Sequence, residues 1–313
     1  MTEHKLSSEA IKKLSAIKLI SMDSIFENKM LGLIYGNNRI LEYYNFENKE
    51  RRKLAKENST IWGVHHNLKN KKTQYGGVSN KIFCLEDDLK QKRNNSIQAI
   101  NSFNGLTIDA GSYGLFNTET NEELISRKSL EDKNISSIKS LNSFNNSLYA
   151  LVANNDNSCS VVEINTSNPN NFFIGETIKN YELKHTKICN FAIIPQESMR
   201  GDNGKDYPFS IITCANISYL DLNGEKILGT EVNNSSDQSI KRLKLIKSTP
   251  TTAEVIYSGY NLKAIYKATI NLTNKTATTK TIITNISDYV YALQPIFNYD
   301  SHKHLSNIGE VIR

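Results

Sequence analysis

Short apolar runs separated by polar, turn-prone residues recur along nearly the whole chain. Most are too short and too often broken to be helices, so they read as strands. One stretch is repeated. Ser96-Ile97-Gln98-Ala99-Ile100-Asn101-Ser102-Phe103-Asn104 returns 41 residues later as Ser137-Ile138-Lys139-Ser140-Leu141-Asn142-Ser143-Phe144-Asn145, and a fainter copy starts at Ser239-Ile240-Lys241-Arg242-Leu243. Each copy leads into further short strands. Leu106–Ala110 and Tyr113–Asn117 follow the first, and Leu148–Val152 and Ser160–Ile164 follow the second.

Used as a template, the repeat predicts first strands near Ile17–Asp23, Thr60–His66, Ser96–Ser102, Ser137–Ser143, Ile188–Ile194, Lys241–Lys247 and Tyr289–Leu293. This makes about seven units, or six if the ring closes sooner, at the spacing of four-stranded propeller blades. Phe209–Cys214 and Ile217–Leu222 then enter Asn223-Gly224, a dipeptide suited to the two-residue hairpin turn, and Glu225–Leu228 leaves it. Pro169–His185 and Glu197–Tyr207 are longer than ordinary turns and read as surface insertions. From Asp288 only 26 residues remain, too few for a generous last blade, so closure calls for an N-terminal strand. Ser8–Leu19, with Ile11, Leu14 and Ile17 apolar, instead has the spacing of an amphipathic helix.

These units resemble a WD40-like β-propeller. The resemblance covers most of residues 15–313, but no blade carries the family's Gly-His and Trp-Asp pairs, and the single Trp62 is followed by Gly63. It implies an all-β propeller domain over residues 1–313, with 1–14 as an N-terminal extension or blade-closing segment, and a face for protein partners. It brings no catalytic residue with it.

Composition narrows this reading. Hydrophobic residues make up 38% of the chain, below the globular norm, and about forty asparagines fill the gap. Asparagine tolerates left-handed backbone angles and bonds its own main chain, as a protein with many turns requires. No apolar run reaches membrane-spanning length. The N-terminus shows no signal-peptide pattern, so the chain reads as cytoplasmic, or nuclear in a eukaryotic cell. Cys84, Cys159, Cys189 and Cys214 match neither a CxxC pair nor a zinc site and read as buried free thiols.

The net charge of +6 is uneven. Residues 1–93 carry 18 Lys/Arg against 11 Asp/Glu, which leaves the remainder slightly acidic. Arg51, Arg52, Lys53, Lys69, Lys71, Lys72, Lys92 and Arg93 are the candidate partner-binding residues, for an acidic protein, RNA or a ribonucleoprotein.

No nucleophile elbow, Walker loop or His-Glu-x-x-His motif occurs, and no cofactor motif is evident. His65-His66 and His302-x-His304 offer too few ligands for zinc. Ser112 has Asp109 nearby, but Gly111 and Gly114 around it read as hairpin glycines, and Glu86-Asp87-Asp88 reads as a charged turn. The chain is therefore expected to be a non-catalytic scaffold for protein–protein interaction in a macromolecular complex. The alternatives are an enzyme with its site in the central channel and an RNA-docking protein that uses the basic N-terminal third.

Overall fold

The computed structural model describes residues 30–67, 72–87, 90–181, 188–215, 219–232, 239–260 and 262–297. Among them are six antiparallel four-stranded sheets. The first blade contains β1 (Met30–Asn37), β2 (Ile40–Asn45) and β3 (Arg51–Lys56). The second contains β4 (Ile61–Asn67), β5 (Lys72–Gly77), β6 (Lys81–Cys84) and β7 (Lys90–Lys92), and the third β8 (Ile97–Phe103), β9 (Leu106–Gly111), β10 (Gly114–Asn117) and β11 (Glu123–Ser126). The fourth contains β12 (Ile135–Phe144), β13 (Ser147–Asn154), β14 (Cys159–Asn165) and β15 (Phe173–Tyr181). β16 (Ile188–Arg200), β17 (Asp206–Ala215), β18 (Leu220–Leu222) and β19 (Glu225–Lys226) make the fifth. β20 (Ser239–Ser248), β21 (Thr252–Tyr260), β22 (Ile265–Asn271) and β23 (Thr276–Ile283) make the sixth. The one described helix, α1 (Arg127–Glu131), is a short turn capped by the Ser126 hydroxyl.

The last strand, β24 (Val290–Phe297), pairs with β1 and becomes the innermost strand of the first blade. The first and last described strands, distant in sequence, thus share one sheet, and the ring has no open seam. The blade count is six, the smaller of the two numbers the spacing allowed. Six of the seven expected first strands are the innermost strands β4, β8, β12, β16, β20 and β24. The seventh, Ile17–Asp23, and the helical pattern at Ser8–Leu19 lie outside the described residues.

Asparagine makes the tight turns possible. Of the twelve described non-glycine residues with positive φ, ten are Asn, including Asn38, Asn80, Asn104, Asn145 and Asn223. Asn223 (φ 53°) and Gly224 (φ 91°) form the expected hairpin turn between β18 and β19. At Gly114, φ is 121° and a Cβ would stand 2.0 Å from the Ile125 carbonyl oxygen, so only glycine fits there.

Two expectations need correction. Pro169–His185 is not simply an insertion, because Phe173–Tyr181 is the outer strand β15. Glu197–Tyr207 extends the hairpin of β16 and β17, whose ladder resumes at Met199–Tyr207 after a bulge. In both places the outward-facing positions are polar or charged, which hides the alternation of a strand.

Six apolar clusters hold the ring together, one at each junction between neighbouring blades. Tyr149 and Leu151 meet Phe191 and Phe209 between the fourth and fifth blades. Ile138 and Val152 meet Phe103 and Leu115 between the third and fourth. β1 serves two junctions by alternation: Ile34 packs toward Ile61 and Val64 of the second blade, whereas Leu33 and Tyr35 pack toward Ile256 and Ile265 of the sixth. Each fully buried Leu or Ile in these layers contributes about 1.5–3 kcal/mol.

Candidate functional site

Each innermost strand has a bulge after an aliphatic residue in its first half. The extra residues are Trp62, Gln98, Lys139, Cys189, Lys241 and Tyr291. Because side chains alternate, the bulge sets the facing of everything downstream. It aligns Gly63, Ala99, Ser140, Asn190, Arg242 and Ala292 as one layer, and His65, Asn101, Asn142, Ala192, Lys244 and Gln294 as the next.

Bonds and packing between blades place these layers where neighbouring innermost strands meet. Asn101 Nδ2 donates to the Leu141 carbonyl at 2.8 Å, and Asn142 Nδ2 to the Phe191 carbonyl at 2.8 Å. The repeated Asn of the sequence pattern is thus a stitch from one innermost strand to the next. Ser140 Oγ donates to Asn190 Oδ1 at 3.3 Å. Arg242 reaches furthest. Its guanidinium donates to the carbonyls of Lys241 (2.9 Å), Trp62 (3.0 Å) and Tyr291, gathering bulge residues from three successive blades. Replacing Asn142 with leucine removes a buried interblade bond and is expected to cost about 1–3 kcal/mol, read as a lower urea midpoint at unchanged slope. A neutral result would show that the stitch is not needed.

The electrostatics of this centre are unusual. Lys244 is walled in by protein yet keeps partial solvent contact. Burial, and then the Arg242 charge, push its ammonium down to about 8. His65 is 7% exposed, and burial, Lys244 and His66 together push its imidazole down to about 3. The Gln294 side chain beside it is its hydrogen-bonding neighbour and works in the opposite direction.

His66 faces the other way, as strand alternation requires. Its Nδ1 lies 2.8 Å from Thr73 Oγ1, whose hydroxyl donates to Glu86 Oε1 at 2.8 Å. With the hydroxyl proton committed to Glu86, Nδ1 is the donor to Thr73. Burial holds His66 down at about 4 and pushes the Glu86 carboxyl up. Glu86, expected in a charged turn, is therefore a clamp on β5. Asp87 does stay at the surface, paired with Lys72 at 2.7 Å.

The basic residues singled out in the sequence separate into distinct roles. Arg51 donates to the carbonyls of Asn285 (2.8 Å) and Thr284, joining the first blade to the chain that follows the sixth. Arg52 pairs with Glu50 at 2.7 Å. Lys53 and Lys92 are exposed on the outermost strands of neighbouring blades, and Lys69 and Lys71 lie outside the described residues.

Arg93 must be withdrawn from the partner-binding set. It is 3% exposed, holds Asp109 through Nε (2.9 Å) and Nη2 (2.6 Å), and lies 4.6 Å from the centre of the Phe116 ring. The Tyr113 hydroxyl donates to the same carboxylate. Asp109 is thereby committed and is no partner for Ser112. Cys84, Cys159 and Cys214 are buried free thiols; the Cys189 side chain and His302-x-His304 lie outside what is described. A separate groove of about 310 Å³ lies on the fourth blade beside Lys133, Asn154 and Asp156. Its polar lining is largely self-bonded, as in Asn154 to Ser158 (2.8 Å) and Ser160 to Asn180 (2.9 Å).

No family model matches the chain, and no curated protein matches it. Solved structures do. The crystal structure of the WD40 β-propeller domain of Doa1 is similar with a TM-score of 0.51 at 11% identity, over 90% of this chain and 97% of that one. The chain folds as a WD40-like β-propeller. At such low identity the likeness concerns the fold alone. Without the Gly-His and Trp-Asp pairs, this propeller pins its blades by other means. They include the His66–Thr73–Glu86 relay, the buried Arg93–Asp109–Tyr113 group and the asparagine stitches.

Proposed function

We propose that this propeller is a non-catalytic scaffold that receives a protein partner at the mouth of its channel. The observation that carries this reading is that the Arg242 guanidinium gathers the backbone carbonyls of Trp62, Lys241 and Tyr291, the bulge residues of three blades. All three side chains are half-buried, and Tyr289 meets Tyr291 edge-on at 6.2 Å. Lys139 and Gln98 occupy the equivalent bulges on other blades. Tryptophan, tyrosine and arginine are the residues that dominate protein interfaces, because they present a large contact area at small entropic cost. Flanking lysines favour a partner segment rich in carboxylates.

His65 is poorly suited to acid–base catalysis. An imidazole held at about 3 is a weak base at neutral pH, and no described carboxylate stands beside it.

A photo-crosslinking amino acid placed at Tyr291 in native cells is expected to trap a protein. The same group at Thr278, exposed on the outermost strand β23, is expected to trap none. Equal trapping from both positions, or none from Tyr291, contradicts the proposal.

A further inference from the structure

The repeated pattern ends its first strand on Ser-Phe-Asn, and in both copies the next residues form the hairpin to the second strand. On the third blade this turn is Asn104-Gly105, which closes β8 onto β9 at the Phe103–Leu106 pair. On the fourth it is Asn145-Asn146, which closes β12 onto β13 at Phe144–Ser147. The turn from β18 to β19 on the fifth blade is Asn223-Gly224. All six turn residues have positive φ, between 47° and 91°, as the favoured two-residue hairpin requires.

The three turns share a backbone but differ in what their asparagines can do. Asn104 and Asn145 are exposed, and neither side-chain amide makes a hydrogen bond with a described residue. Asn223 is tied to β17 at three points. Its main-chain N–H donates to the Ile211 carbonyl at 2.8 Å, its Oδ1 accepts from the Ile211 N–H at 2.8 Å, and its Nδ2 donates to Ser210 Oγ at 3.0 Å.

An unbonded asparagine is chemically labile. The main-chain nitrogen of the following residue attacks Cγ: a C–N bond forms, the Cγ–Nδ2 bond breaks, and the proton of the attacking nitrogen leaves with Nδ2 as ammonia. Water then opens the cyclic imide. Addition at Cγ gives aspartate, and addition at the main-chain carbonyl gives isoaspartate, in which the backbone runs through the side-chain carbon. Nothing is oxidised or reduced, and the product gains the mass of water less that of ammonia.

Two conditions govern the rate. The amide must be free to swing onto the nitrogen, and the following residue must not crowd the attack. Glycine has no Cβ, so it leaves the nitrogen open and lets the peptide plane turn. Asn104-Gly105 meets both conditions. Asn145-Asn146 fails the second, and Asn223-Gly224 fails the first, because moving the Asn223 side chain breaks two bonds to β17.

We infer that Asn104 is a site of spontaneous deamidation in the folded chain, and that the two related turns are protected. The change reaches the contact between blades. The Gly105 carbonyl accepts from Asn67 Nδ2 of the second blade at 3.2 Å, and the same nitrogen donates to Thr107 Oγ1 at 2.7 Å. Isoaspartate at 104 adds a main-chain carbon just ahead of Gly105, and either product places a new negative charge on this turn.

The full chain, incubated in mildly alkaline buffer with a parallel sample in urea, tests the inference. A timed protease digest read by mass spectrometry locates the added mass at 104, 145 or 223. In the folded chain Asn104 is expected to convert about tenfold or more faster than Asn145 or Asn223. In urea the bonds to β17 are lost, so Asn223 is expected to convert as fast as Asn104 while Asn145 stays slow. Gly105→Asn gives the third blade the turn of the fourth; this variant is expected to fold and to slow conversion at 104 to the rate at 145. Conversion at 145 or 223 that keeps pace with 104 in the folded chain overturns the inference. So does an unchanged Asn104 in folded protein after the urea sample has converted.

Discussion

Replacing Arg93 with methionine is expected to cost about 3–5 kcal/mol, because it leaves the Asp109 carboxylate buried without its cation. The two side chains are 2% and 0% exposed, and they tie the end of β7 to β9 of the next blade. Burial alone pushes the Asp109 carboxyl up, and the bonds from Arg93 and Tyr113 work against that. With typical stabilities of about 5–15 kcal/mol, such a loss places the variant near its unfolding threshold. The urea midpoint measures it. Asp109→Asn is expected to behave similarly, and the pair Arg93→Met with Asp109→Leu to recover much of the loss, since two apolar groups leave no charge stranded. If Arg93→Met changed stability by less than about 1 kcal/mol, this ion pair would not hold the second and third blades together.

Acid is expected to weaken the fold through two histidines. An unfolded histidine takes up its proton near pH 6.5, whereas His65 and His66 are held at about 3 and about 4. Between these limits the unfolded chain binds more protons, so stability falls as pH is lowered, by about 1.4 kcal/mol per unit for each histidine. From pH 6.5 to 4 the pair contributes a loss on the order of 5 kcal/mol. Glu86, Asp109 and Asp221 are raised by burial and have the opposite sign: the folded state holds their protons more tightly, which favours it as pH falls through the carboxylate range. The difference between the unmodified chain and a His65→Gln, His66→Gln variant isolates the histidine contribution. Parallel stability–pH curves for the two proteins would contradict the burial assigned to both rings.

Much of the ring was legible because its innermost strands combine a repeated aliphatic pattern with turn asparagines. The Ser-Ile-x-x-Φ-Asn-Ser-Phe-Asn pattern marked β8 and β12, and its asparagine proved to be the interblade stitch. Asn223-Gly224 read correctly because a turn with two positive φ angles admits few residue pairs. The outer strand β15 was hidden, since an edge strand carries polar residues on its solvent side and alternates weakly.

Arg93 was misread for a related reason. Next to Lys90 and Lys92 it looked like part of a solvated run. The useful signal lay elsewhere, in Asp109, an acid inside the otherwise apolar Leu106–Gly111 strand that requires a buried cation. The channel layer was invisible in the sequence because His65, Lys244 and Gln294 come from three blades, and only ring closure and the bulge register bring them together.

That closure rests on β24 lying against β1. Asn38 Nδ2 and Asp288 Oδ2, one from each flanking turn, stand 2.7 Å apart, and the Asn38 amide donates to the Tyr289 carbonyl at 3.0 Å. Cysteines placed at 38 and 288 and treated with a short bis-maleimide, with the digest read by mass spectrometry, test this contact directly. The ring described here predicts that the two peptides are joined within single molecules at high dilution; separate single-site adducts at 38 and 288, with no joined peptide, would show that β1 and β24 do not share a blade.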